Sequence, residues 1–119
     1  MQYYLDIVYL EGCPHSKAAR NLVESNNIKH NLITVSHYDK DKYKTSLIST
    51  FPQIYLKKNN NKGSLLLGGN SDLQQIHNII KNNKDPKETR INLIKYNKNI
   101  NNKLSLRILE LFENTQVIY

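Results

Sequence analysis

Hydrophobic positions along the chain switch between two periods, and the switches mark out the elements. Residues 3–10 (YYLDIVYL) are dense in tyrosine and β-branched side chains and stop at Glu11-Gly12, the pattern of a strand running into a turn. Past Pro14 the apolar positions Ala18, Ala19, Leu22 and Val23 recur at helical spacing. Pro14 suits a first helical turn, because its missing N–H would have no partner there. Residues 29–35 (KHNLITV) predict a second strand. Residues 39–48 predict a short helix with Tyr43, Leu47 and Ile48 on its apolar side, ended by Thr50-Phe51-Pro52. A third strand at 53–57 and a fourth at 64–67 flank the polar stretch 58–63 and read as a hairpin, closed by Gly68-Gly69. Ser71 with Gln74 has the form of a capping box. Leu73, Ile76, His77 and Ile80 follow at i, i+3, i+4, i+7, so a helix is expected from there to about residue 83.

The order β-α-β-α-β-β-α predicts an α/β fold. One crossover must join parallel strands and the terminal hairpin must be antiparallel, so a four-stranded mixed sheet with helices on both faces is expected. Asn82-Asn83-Lys84-Asp85-Pro86 reads as a boundary. It divides the chain into a domain at 1–84 and an Asn/Lys-rich C-terminal extension at 85–119. The extension carries one amphipathic segment, Leu104, Ile108, Leu111 and Phe112, expected to form a helix that packs back on the core or faces a partner.

Composition narrows the class. A chain of 119 residues suffices for one domain that buries roughly two-thirds of its unfolded surface. With 39% hydrophobic and 23% charged residues it is near the globular average. Cys13 is the one cysteine, which excludes an internal disulfide, and four scattered histidines do not complete a Cys/His zinc site. The longest apolar stretch, residues 3–10, is interrupted by Asp6 and is too short to span a membrane. A reducing, cytoplasmic compartment is therefore expected, with no membrane partner. The net charge of +7 would recruit anions, but the lysines are spread along the chain rather than gathered on one segment, so nucleic acid is not the expected partner.

The candidate chemistry sits at Cys13-Pro14-His15-Ser16, between the first strand and the first helix. Backbone N–H groups and the helix dipole there favour a negative charge on sulfur. A lone cysteine is more commonly a small buried hydrophobe. Two further signals in fixed order argue otherwise: Phe51-Pro52 just before a later strand, and Gly68-Gly69 before a helix.

With those motifs in place, residues 3–82 resemble the glutaredoxins, of the thioredoxin-like fold. Cys13-Pro14-His15-Ser16 is similar to the family's Cys-Pro-Tyr-Cys site, with serine for the second cysteine. Thr50-Phe51-Pro52-Gln53-Ile54-Tyr55 is similar to its Thr-Val-Pro-Gln-Ile-Phe stretch, which contains a cis-proline. Leu67-Gly68-Gly69-Asn70-Ser71-Asp72-Leu73 is similar to its Ile-Gly-Gly-Cys-Asp-Asp-Leu. The resemblance implies a glutathione site. Cys13 would be the nucleophile, with Ser16 stabilising its thiolate by a hydrogen bond and His15 beside it. Phe51 and Pro52 would pair with the tripeptide backbone. Gly69, Asn70 and Ser71 would hold its γ-glutamyl carboxylate at a helix start. Two departures stand out: Leu10 replaces a lysine three residues before the nucleophile, and Ser71 replaces an aspartate for which Asp72 is the available substitute.

The implied activity is glutathione-dependent thiol–disulfide exchange by a monothiol route, the enzyme removing glutathione from mixed disulfides on partner proteins. A second class the resemblance admits is a [2Fe-2S] cluster shared by two chains and two glutathiones, with Cys13 as ligand. A third is a redox-inactive interaction module. A monomer or weak dimer is expected, with glutathione and glutathionylated or disulfide-bearing proteins as partners.

Overall fold

The computed structural model describes residues 3–59 and 63–113. Its sheet is ordered β2-β1-β3-β4, formed by β1 (Tyr3–Leu10), β2 (His30–Val35), β3 (Gln53–Lys58) and β4 (Ser64–Gly68). β1 is an inner strand, parallel to β2 from Leu5↔His30 to Leu10↔Val35 and antiparallel to β3 from Tyr3↔Lys58 to Val8↔Gln53. β3 and β4 are antiparallel, with a bulge between Ile54 and Tyr55. This is the mixed α/β sheet flanked by helices that the residue pattern predicts, in the arrangement of a thioredoxin-like fold. Of the expected turn at 58–63, residues 60–62 lie outside the described residues, as do residues 114–119 of the extension.

Alternation along β1 separates two faces. Tyr3, Leu5 and Ile7 are buried on one of them and share a single core with Ile54, Leu56 and Leu67. To that core α1 (Pro14–Ser25) contributes Ala19, Leu22 and Val23, and α2 (Asn70–Asn82) contributes Leu73, Ile76 and Ile80. Val8 and Val35, buried on the other face, lie outside the cluster. All four α-helices among the described residues feed the first face, which corrects the expectation of helices on both faces: the segment between β2 and β3 holds only a 3₁₀ helix with no buried residue. The connection between β2 and β3 is tied to the second face where Gln53, paired with Val8, donates its Nε2 to the Tyr43 carbonyl at 2.8 Å.

That connection differs from the helix expected at 39–48. It holds a 3₁₀ helix, His37–Tyr43, with no buried residue, and Leu47 is 80% exposed. The ion pairs Lys42–Asp39 and Lys44–Asp41 are three residues apart, which suits 3₁₀ spacing. After them Thr45 stops the helix. Its Oγ1 accepts the N–H groups of Leu47 and Ile48, each at 3.1 Å, and its own N–H donates to the Ile48 carbonyl at 2.8 Å. A side chain offering the backbone such local bonds competes with helix formation.

The extension also differs in part. Two helices occur where one was expected: α3 (Pro86–Tyr96) and α4 (Asn102–Glu113). Asp85 caps α3 by accepting the Lys87 N–H at 3.0 Å, and Pro86 stands in its first turn. Both helices pack back. Leu93, Ile100, Ile108, Leu111 and Phe112 are buried in the same cluster as Leu5 and Ile7. No helix among the described residues is long and apolar enough to cross a membrane.

Candidate functional site

The turn from β1 to α1 places the cysteine. Gly12 adopts a φ of +77°, a conformation that favours glycine, and the Cys13 N–H donates back to the Leu10 carbonyl at 3.2 Å. Cys13 is then the N-cap residue of α1, and its carbonyl accepts the Lys17 N–H at 3.0 Å. With Pro14 in the first turn and no acidic side chain there, the positive end of the helix dipole is uncompensated near the sulfur. The thiol is partly exposed and points across the fold, donating toward the Phe51 carbonyl oxygen at 3.9 Å.

The other members of the motif divide by position. His15 is exposed, whereas Ser16 is fully buried. The Ser16 hydroxyl accepts the Leu10 N–H at 3.1 Å, beyond the last β1–β3 pair, Val8↔Gln53. Among the described residues Ser16 makes no hydrogen bond to Cys13; its bond closes the turn.

Phe51 and Pro52 are joined by a cis peptide bond. Phe51 is half-buried with its carbonyl facing Cys13, and Pro52 is buried. The Pro52 carbonyl lies against Gly69, at 3.6 Å from where a side chain there would begin. Thus the start of β3 stands between the thiol turn and the start of α2.

The beginning of α2 corrects the expected capping box. The N-cap residue is Gly69, and Ser71 lies inside the first turn, exposed. The carboxylate that reaches back belongs to Asp72, whose Oδ2 accepts the Gly69 N–H at 2.9 Å. Gln74 donates instead to the Asn70 side-chain oxygen at 3.1 Å. The first-turn N–H groups of Asn70, Ser71 and Asp72 have no carbonyl four residues back within the helix, and a glycine N-cap has no side chain to cover them. They are the donors an anion would meet.

Asp72 is held from a second direction. The hydroxyl of Tyr96, at the end of α3, donates to Asp72 Oδ1 at 2.7 Å. Burial, followed by the hydrogen bond and charge of Asp72, pushes the Tyr96 hydroxyl up to about 12. Gly68 makes room for the arrangement: a side chain there would overlap the Asp72 carboxylate, and its φ is +126°.

These segments enclose an open cleft of about 520 Å³, within the range of small-ligand sites. Of the residues singled out from the sequence, His15, Phe51, Gly69, Asn70 and Ser71 line it. Cys13 adjoins it through the Phe51 carbonyl, Pro52 backs it, and Ser16 is behind the turn. Leu47, Ile48 and Leu66 add an apolar wall that none of the three motifs contains. The exposure of Leu47 follows from the Thr45 turn, and the helical spacing of Tyr43, Leu47 and Ile48 conceals it along the chain. Comparison with family models, with curated proteins and with solved structures finds no match to this chain.

Proposed function

We propose that the chain is a glutathione-dependent thiol–disulfide oxidoreductase acting through Cys13 alone. The observation that carries this reading is the convergence of three remote segments on one cleft: His15, Phe51 and residues 69–71 line it, the partly exposed Cys13 thiol adjoins it through the Phe51 carbonyl, and the start of α2 offers N–H groups with no carbonyl four residues back within the helix. A cysteinyl tripeptide with a terminal carboxylate presents the complementary groups in the same order. Its sulfur meets Cys13, its backbone runs along Phe51, and its γ-glutamyl carboxylate meets the N–H groups of Asn70 and Ser71.

The chemistry is two thiolate displacements. The Cys13 thiolate attacks the glutathione sulfur of a mixed disulfide, forming the Cys13–glutathione disulfide. The substrate thiolate leaves and takes a proton from water. The thiolate of a second glutathione then attacks the glutathione sulfur on Cys13. Oxidised glutathione leaves and the Cys13 thiolate is restored, so the net reaction converts one mixed disulfide and one glutathione into one protein thiol and one oxidised glutathione. Ser16 supplies no second thiol, so no step passes through an internal disulfide.

Incubation with oxidised glutathione followed by intact-mass measurement tests the first covalent step. One glutathione is expected on the wild type and none on Cys13→Ser. A wild type that stays unmodified would contradict the reading.

A further inference from the structure

We infer that Tyr96, in the C-terminal extension, is a positioning residue for the anion-holding end of the cleft. The inference rests on the glutathione reading above, and extends it to a helix that the three motifs do not include. The observations form a relay. Tyr96 donates to Asp72 Oδ1 at 2.7 Å, Asp72 Oδ2 accepts the Gly69 N–H at 2.9 Å, and Gly69 lies against the Pro52 carbonyl. Gly68 leaves the space that the Asp72 carboxylate occupies.

Two physical effects follow. A carboxylate held through both oxygens cannot turn about its final bond, so Oδ2 stays on the N-cap amide and the first turn of α2 keeps its shape. The carboxylate is also the one acidic group among the residues lining the cleft, and it stands at the end where an anionic ligand would bind. A phenol hydrogen on Oδ1 offsets part of its charge and keeps it on Gly69, away from the donors of Asn70 and Ser71. Without Tyr96 the carboxylate is free to compete for those donors and to repel the incoming anion. Cys13 is at the opposite end, against Phe51, so the chemical step itself is not touched.

The test compares the full-length wild type with Tyr96→Phe, a substitution that deletes one partly exposed hydroxyl and keeps the ring. Expected are a KM for glutathione raised about fivefold, a kcat within about twofold of wild type, and faster hydrogen exchange at the Gly69 amide with exchange at Leu5 and Ile7 unchanged. An unchanged KM overturns the inference. So does a loss of kcat together with a lowered melting temperature and faster exchange throughout, which marks a merely structural side chain. If the wild type shows no glutathione turnover, it is the functional reading that has failed. The exchange at Gly69 then decides: faster in Tyr96→Phe supports the relay, and unchanged overturns it.

Discussion

The Ser16 hydroxyl accepts the Leu10 N–H at 3.1 Å, in the position where a second thiol would stand in a two-cysteine site. This bond satisfies a backbone donor that β3 no longer reaches. Replacing the buried Ser16 by alanine leaves the part-buried Leu10 N–H without this partner, which costs about 1 kcal/mol. Denaturant unfolding of Ser16→Ala should show that loss. Turnover by the folded variant should persist, because the nucleophile is elsewhere; loss of turnover in a folded Ser16→Ala would assign the hydroxyl a chemical role.

Gly68→Ala should be costly for two reasons that add. A φ of +126° strains a residue with a side chain by about 1–3 kcal/mol, and the new methyl group would displace the Asp72 carboxylate from Gly69. Lower stability and a raised KM for glutathione are expected together. Equilibrium unfolding and steady-state kinetics on the same preparation check both.

Alkaline titration reads the Tyr96–Asp72 bond. With its pKa raised to about 12 from an ordinary 10.0, Tyr96 keeps its proton in the folded chain after an unfolded chain has lost it. Its contribution to stability is therefore complete below about pH 10 and is lost as pH rises through about 12. Phenolate absorbance should show late titration from Tyr96 and, through burial alone, from Tyr55, and Tyr96→Phe should remove the Tyr96 share. In Asp72→Asn Tyr96 should titrate earlier, yet still above the ordinary value, because burial remains the larger cause.

On the acid side one responsible group is His77, acting at higher pH than the lowered carboxyls of Asp39 and Asp41. Burial, and secondarily Lys81, lowers its pKa from 6.5, so the folded chain takes up that proton less readily than the unfolded one. Stability should fall as pH drops below 6.5, until the lowered folded value is passed. His77→Gln should flatten that part of a stability-against-pH curve, measured by urea unfolding.

Residues that punctuate the chain were readable from sequence. Gly12, Pro14, Pro52 and Gly68-Gly69 mark the ends of elements, and between them the strands of the sheet and the helices α1 and α2 stand where periodicity places them. The 39–48 segment misled because Tyr43, Leu47 and Ile48 fall at helical spacing without a core to face, and Thr45 bonds locally instead. In the extension the reverse holds. Thr89 and Ser105 are buried where a hydrophobic pattern looks for apolar residues, each satisfied by a carbonyl within its own chain neighbourhood, Asp85 at 3.0 Å and Asn102 at 2.7 Å. Without Thr89, α3 shows no clear stripe, whereas Ser105 interrupts the readable stripe of α4. Of the cleft, the chemistry-bearing motifs were visible, whereas the Tyr96–Asp72 contact joins residues 24 apart and exists only in three dimensions.

Because α3 and α4 share the core of the sheet, damage to them should be felt throughout. Leu111 is fully buried, and Leu111→Ala should cost about 2–5 kcal/mol in a single cooperative transition. Two separate transitions would show that residues 85–113 fold apart from the sheet.

The most direct measurement is glutathione-dependent reduction of a small mixed disulfide, coupled to glutathione reductase and NADPH, with wild type and Cys13→Ser run in parallel. Turnover by the wild type that disappears in Cys13→Ser is the expected result. Equal rates in the two proteins, or none in the wild type, would contradict the assignment of Cys13 as a glutathione-dependent nucleophile.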